Sequence, residues 1–286
     1  MASITPQYTM KTRFVILSDT HDKYEDLQNL PKADVLLHCG DLTQVGGLSN
    51  YKSAISMMKN ADAELKLVIP GNHDLSLDAT WWSNNLIDDD DPEESTKALE
   101  LFRSQECRDA GIYYLEEGTH TFTLKSSATF KIFASPYTPE FCDMAFPYPR
   151  DENHWPGKIP DDTDIIMTHG PARFDYTMDV NFAGDPCGCP FLATAVTRVK
   201  PLLHCFGHIH EGHGVQKAIW GDGGSKPERI DEVHKMDKVV DVSGKSGLES
   251  LLNPEKETLL VNAAIEGHRG EPRRKPWVVD LNLRKG

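Results

Sequence analysis

The chain predicts an α/β fold, with two mixed β-sheets packed face to face and helices flanking them. Three observations carry that expectation. Short apolar runs, partly β-branched and bounded by turn residues, stand at 13–17, 34–38 and 65–69, with a helical stretch at 47–58 between the second and third. Strand–helix–strand alternation of this kind implies a parallel sheet with right-handed crossovers. Further strand-like runs at 113–115, 121–124, 130–133, 164–167, 202–206, 259–262 and 277–281 supply a second sheet, starting near residue 113. Lastly, Asp19, Asp41, Asn72, His169 and His208 follow on such runs, where an open parallel sheet has its ligand crevice.

Each element has a local reason. The first three runs are apolar almost throughout, as a strand buried on both faces requires. The string Asp88-Asp89-Asp90-Asp91-Pro92-Glu93-Glu94 has the look of a cation trap. Acidic residues and a proline also open helices, and here a helix is expected to run to about residue 110. Cys187-Gly188-Cys189 has no second pair at ligand spacing and reads as a tight turn before a helix at 190–199. Residues 221–253, rich in glycine and charge, are expected to form a long inserted loop, with a lid over the site as the functional alternative.

With 286 residues and no dividing linker, one domain over 1–286 is expected, its core at about 13–281. The formal charge of −14 disfavours duplex nucleic acid as a partner, because wrapping a polyanion needs a basic stripe. A small phosphorylated substrate remains compatible, since cations set against Asp19 and Asp41 make a local positive excess. The first residues, Met1-Ala2-Ser3-Ile4-Thr5-Pro6, lack a basic head and an apolar stretch, and no early run reaches membrane-spanning length. Six cysteines, at 39, 107, 142, 187, 189 and 205, show no framework spacing, as in a reducing compartment. A cytoplasmic protein without membrane contact is the expectation; no residue specifies the oligomeric state.

Five segments carry the chemistry: Asp19-Thr20-His21, Gly40-Asp41, Gly71-Asn72-His73-Asp74, Thr168-His169-Gly170 and Gly207-His208-Ile209-His210. They hold three carboxylates, one amide and five imidazoles, a donor set for two adjacent hard-to-borderline ions with one carboxylate left to bridge them. Asp-x-His on an extended end points both side chains at one ion, although alone it is equally a turn. Gly40-Asp41 alone is as readily a helix cap. Gly71 permits close backbone approach, Asn72 offers a carbonyl oxygen, and Asp74 is the expected orienting partner of His73. A lone histidine is usually structural; five inside such segments rarely are. His38 beside Cys39 is read as a supporting or packing group, and His204 and His213, which flank the His208/His210 pair, as residues that are not ligands. Arg173 is a candidate phosphate contact or a solvated arginine. Phe141, Phe146, Tyr148 and Trp155 wall a pocket or fill the core. Arg269, Arg273, Arg274 and Lys275 form a basic cluster, read first as a solvated loop and second as a phosphate-gathering rim.

In order, D-x-H, G-D, G-N-H-D, H and G-H-x-H resemble the signature of the calcineurin-like metallophosphoesterases over about residues 13–281. Within that superfamily, the strings at 135–141, 145–150, 168–171 and 207–212 resemble the metallophosphoesterase-domain-containing subfamily. The resemblance implies one ion on Asp19, His21, Asp41 and His210, and another on Asp41, Asn72, His169 and His208, with Asp41 bridging. The oxygen and nitrogen set without thiolate suits two divalent or trivalent ions, Mn²⁺, Fe or Zn²⁺. A hydroxide shared by ions about 3.5–4 Å apart would attack phosphorus. His73 would be general acid to the leaving oxygen or would stabilise charge on the phosphoryl oxygens, with Asp74 behind it, while Asn72 and Arg173 would meet substrate. The expected activity is hydrolysis of a small phosphodiester such as a cyclic nucleotide. A phosphomonoesterase for a nucleotide or small metabolite is the alternative among enzymes, and a non-catalytic binding or scaffold protein is the alternative of another class.

Overall fold

A computed structural model of the chain describes residues 9–24, 27, 29–174, 177–221, 226–234, 257–267 and 273–286. The strands are β1 (Thr9–Leu17), β2 (Val35–His38), β3 (Leu65–Val68), β4 (Ile112–Tyr114), β5 (Gly118–Thr123), β6 (Ala128–Ser135), β7 (Thr138–Pro139), β8 (Pro147–Tyr148), β9 (Ile165–Thr168), β10 (Leu203–Phe206), β11 (Gly214–Ile219), β12 (Arg229–His234), β13 (Glu257–Asn262) and β14 (Trp277–Lys285). The helices are α1 (Leu48–Asn60), α2 (Ala79–Asn84), α3 (Glu94–Phe102), α4 (Gln105–Asp109) and α5 (Pro190–Val199).

Alternation along the strands decides the layering. Phe14 and Ile16 of β1, Val35 and Leu37 of β2 share one buried cluster with Ile132 of β6, Ile165 and Met167 of β9, and Leu203 of β10. That cluster fills the space between two half-sheets packed face to face, as the sequence predicts. The intervening residues turn outward: Val15, Leu17 and Leu36 pack with α1 and α3, and Phe133, Ile166 and Leu260 with α5. A period of two thus assigns successive residues to inner and outer layers. Strands β1 to β4 run parallel in one half, and β6, β9, β10 and β13 in the other. Antiparallel β14 joins the halves, pairing with β1 along its length and with β6 only at Arg284 and Lys285. Hydrogen bonding therefore continues through one folded, 12-stranded sheet.

Local differences from expectation have local causes. The helix expected to reach residue 110 is two helices, because the Ser104 hydroxyl accepts the Cys107 N–H and caps α4 just after α3 ends. The run at 113 extends the first half-sheet beside β3 instead of starting the second. The expected loop at 221–253 contains β12, paired antiparallel with β11; residues 222–225 and 235–256 lie outside the described residues. Cys189 caps α5 by accepting the Leu192 N–H at 3.3 Å, which is the turn expected there. The cysteines are free thiols. No helix among the described residues is long and apolar enough to cross a membrane. A cavity of about 570 Å³, lined in part by Lys59, Lys66, Tyr113, Phe122 and Lys125, lies at the amino-terminal ends of β3 and β4, away from the strand ends that bear the ligand-type residues.

Candidate metal centre

Each ligand-type residue sits on a loop at the carboxyl end of a parallel strand. β1 leads to Asp19 and His21, β2 to Asp41, β3 to Asn72 and His73, β9 to His169, and β10 to His208 and His210. Strand register aligns those ends: Leu17 pairs with His38 and His38 with Val68 in one half, and Ser135 pairs with Thr168 in the other. The turns are strained. Asp19, His21, Asp41 and His208 have φ of 57°, 44°, 51° and 68°, a left-handed region that costs a non-glycine residue about 1–3 kcal/mol. Two glycines are required by close approach. A Cβ on Gly71 would stand 2.2 Å from Asp41 Oδ1, and one on Gly207 would stand 2.1 Å from Asp19 Oδ2.

The loops bring together two clusters, Asp19–His21–His210 and Asp41–His169–His208. In the first, His210 Nε2 is 3.2 Å from Asp19 Oδ1 and 3.3 Å from His21 Nε2. In the second, His169 Nε2 is 3.4 Å from Asp41 Oδ2 and 2.9 Å from Asn72 Oδ1. Asp41 Oδ2 also lies 3.8 Å from His21 Nε2, so one oxygen faces both clusters. His21 donates its Nδ1–H to Thr43 O at 3.2 Å and His169 donates to Cys39 O at 2.9 Å. Each ring then turns its Nε2 into the cluster. Buried nitrogen and oxygen atoms of ligand type converging at these distances fit cations, which would displace the His169 proton, and the donor set fits two of them.

The charges bear this out. Burial works against ionisation of Asp19, yet the His210 hydrogen bond holds it at about 2. Asp41, equally buried, stands well below the carboxylate range beside His169. Against its own burial, His169 is raised to about 9 by Asp41. Burial pushes His208 down to about 3.

His73 stands at the edge of the clusters, half-buried, its ring edge-on to His21 at 4.8 Å between centroids. Its backbone N–H donates to Asp41 Oδ1 and its Nδ1–H to Gln44 O, both at 2.8 Å. Asp74 is not its orienting partner, which corrects the sequence expectation. The Asp74 carboxylate accepts the N–H groups of Gly71, Leu42 and Thr43 at 2.8, 3.1 and 2.9 Å, and the Thr43 hydroxyl at 2.8 Å. Adjacent residues on this turn face opposite ways, and Asp74 lies fully buried beneath it. There it ties the Asp41 loop to the Asn72 loop.

Two buried histidines support the ligand turns in matching fashion. His38 Nε2 meets Thr20 Oγ1, and His204 Nε2 meets Thr168 Oγ1, both at 3.0 Å. Since each threonine donates onward to a carbonyl, Leu42 O or Gly170 O, the histidines are the donors. Burial drives both down to about 3, so they are neutral. Arg173 is exposed, with its backbone N–H on Cys189 O at 3.0 Å. Phe141 stands exposed, its ring edge-on to His208 at 6.3 Å, whereas Phe146, Tyr148 and Trp155 are core residues. Sequence reasoning missed Thr43 and Gln44, and at Cys39 it missed the carbonyl that holds His169. They act through backbone carbonyls, which every residue carries and no motif marks.

A family model described as calcineurin-like phosphoesterase matches residues 12–212, a span that includes every candidate ligand. Human metallophosphoesterase domain-containing protein 1 is 36% identical over 211 residues, covering 71% of this chain and 62% of that protein. A UPF0046 protein of Caenorhabditis elegans is 32% identical over 218 residues, covering 74% and 73%. Probable rhamnogalacturonate lyase C of Emericella nidulans is 34% identical over 210 residues, which are 73% of this chain and 18% of that one. The chain thus spans less than two thirds of the human protein and of the lyase. A crystal structure 13% identical in sequence aligns over 96% of this chain and 95% of its own with a TM-score of 0.52, a likeness of fold alone. On the family match and these identities, the chain belongs to the calcineurin-like phosphoesterase family.

Proposed function

We propose that this protein is a binuclear, metal-dependent phosphoesterase that hydrolyses a small phosphodiester of the cyclic-nucleotide type. The observation that carries the reading is a single oxygen, Asp41 Oδ2, facing both ligand clusters with His73 beside them. Asp19, His21, Asp41 and His210 would hold one ion, and Asp41, Asn72, His169 and His208 the other; Mn²⁺, Fe and Zn²⁺ suit these donors. Bound ions would supply Lewis acidity toward the phosphoryl oxygens and lower the pKa of a water toward neutrality.

The chain's own residues do the rest. Asp19 and Asp41 stay ionised, and His21 and His169 stay aimed because carbonyls fix their far nitrogens. His73, fixed at Nδ1 by Gln44 O, presents Nε2, which in the charged ring donates a proton to the leaving oxygen. Asn72 turns Oδ1 to His169, which leaves its amide N–H for a phosphoryl oxygen; Arg173 is the second substrate contact proposed. The preference for a diester over a monoester rests on the subfamily resemblance and on no single residue. Phe141 offers an aromatic edge at the rim for a ring on the substrate. A small phosphorylated partner in the cytoplasm, without duplex nucleic acid or membrane, completes the proposal.

Turnover of cyclic AMP, bis-p-nitrophenyl phosphate and p-nitrophenyl phosphate by Mn²⁺-loaded protein, wild type beside His73→Ala, tests it. Diester cleavage should require metal, and His73→Ala should lower the cyclic AMP rate by about 10²–10⁴-fold at unchanged metal content. The nitrophenyl diester should suffer much less, because its leaving group departs without a proton. Preference for the monoester would put a phosphomonoesterase in place of the diesterase. Two bound ions with no turnover of any ester would favour a binding protein on this fold.

A further inference from the structure

The segment that follows β13 grips the backbone on either side of one ion cluster's ligands. The Ile265 N–H donates to Ser18 O at 3.0 Å, just before Asp19. Arg273 donates from Nη2 to Thr20 O at 3.0 Å, between Asp19 and His21, and from Nη1 to Lys23 O. Asn262 Nδ2 donates to Ile209 O at 2.9 Å, and Arg274 Nη1 donates to His210 O and, at 3.0 Å, to Glu266 O. Glu266 closes the network through ion pairs with Arg273 at 3.3 Å and Lys23 at 2.5 Å. Arg273 and Arg274 were read from the sequence as part of a solvated loop or a phosphate rim. Instead, the Arg273 side chain is only 15% exposed, and both guanidinium groups point at carbonyls. Arg269 of the same cluster lies outside the described residues.

The strain explains what the grip is for. Asp19, His21 and Asp22 are non-glycine residues at φ 57°, 44° and 65°, and such turns persist only where their surroundings over-determine them. Guanidinium–carbonyl hydrogen bonds are charge-assisted and geometrically fixed. The two arginines reach the carbonyls of Thr20, Lys23 and His210, flanking or belonging to the ligands of one cluster; the loops of Asp41 and His169 are braced by Asp74 and by Cys39 O. The two arginines also lie beyond residues 12–212, the span of the family match.

We propose that Arg273 and Arg274 are positioning residues that clamp the Asp19 and His210 loops together and set the affinity of the ion site on Asp19, His21 and His210 separately from its neighbour. The proposal rests on the two-ion reading of the centre. Metal-stripped wild type, Arg273→Ala, Arg274→Ala and Arg274→Lys, each titrated with Mn²⁺ and followed by electron paramagnetic resonance, test it. Wild type should bind two ions per chain. In either alanine variant one site should stay tight and the other weaken by about 10–100-fold, with turnover restored by excess Mn²⁺. Arg274→Lys should fall between, since an ammonium keeps the charge but not the reach and fixed donor geometry of the guanidinium. Equal weakening of both sites, or of neither, in protein with a native circular dichroism spectrum would overturn the clamp. If Arg274→Ala does not fold, Arg274→Lys and Arg273→Lys decide by the same comparison. Fewer than two ions on wild type would overturn the two-ion reading itself, and the clamp with it.

Discussion

A candidate histidine ligand is shaped by the group on its far nitrogen. His169 gives its Nδ1–H to Cys39 O and turns Nε2 to Asp41, and against its own burial Asp41 raises it from 6.5 to about 9. In metal-free protein, the stability contributed by this charged pair is fully present below pH 6.5 and is lost as pH rises through 9. On the proposed two-ion reading a cation would compete for the same nitrogen, so its binding would expel that proton and tighten over the same interval. Between pH 6.5 and 9, the Tm of metal-free protein should therefore fall while Mn²⁺ affinity rises, as read by calorimetric titration at several pH values. An affinity that stays flat with pH would mean that His169 holds no proton to displace. At this scale the candidate ligands were legible in the sequence, since Asp, Asn and His at strand ends are named by their side chains. The braces were not: Gln44 could not be distinguished from any other residue with a carbonyl, and Asp74 was assigned to the wrong neighbour.

One carboxylate holds much of the long connection between β8 and β9. Glu117, just ahead of β5, accepts from Ser135 Oγ at 2.8 Å, His154 Nε2 at 2.5 Å and Lys158 Nζ at 2.6 Å. The His154 ring stacks on Tyr148 at 4.7 Å and 14°. Burial opposes the charge, yet these donors hold the Glu117 carboxyl at about 2 against an ordinary 4.5. Its stabilising contribution is thus present above pH 4.5 and lost as pH falls through 2. Glu117→Gln should lose about 1–3 kcal/mol in urea unfolding at pH 7, and the gap from wild type should close below pH 4.5. A gap that stays constant with pH would show that the charge is not what matters. Strands such as 34–38 and 202–206 were readable from local apolar runs, as was the helix at 190–199. A tie between residues 37 apart in sequence is not carried by any local pattern.

The last strand of the chain lies near the middle of the sheet. β14 stands between β1 and β6 in the strand order, and its ladder hydrogen bonds run to both half-sheets. Trp277 opens it, fully buried in the central cluster, with Nε1–H on Asn262 O at 3.0 Å and its ring stacked on His213 at 4.8 Å. Trp277→Ala should destabilise the whole molecule by about 3–5 kcal/mol in denaturant unfolding. A loss under about 1 kcal/mol, the scale of a well-tolerated hydrophobic swap, would show that the halves do not depend on this seam.

The sequence alone determined the strand runs, the layered α/β class and the types of residue offered to a metal, because apolar periodicity and turn-borne ligands are short-range properties. Only the tertiary structure decided that a single carboxylate oxygen faces both clusters, that Gln44 and not Asp74 holds His73, and that Arg273 reaches Thr20 across 253 residues. Those contacts depend on backbone carbonyls and on the register of distant strands. Neither leaves a mark in residue identity, so both come into being only when the two half-sheets close on one another.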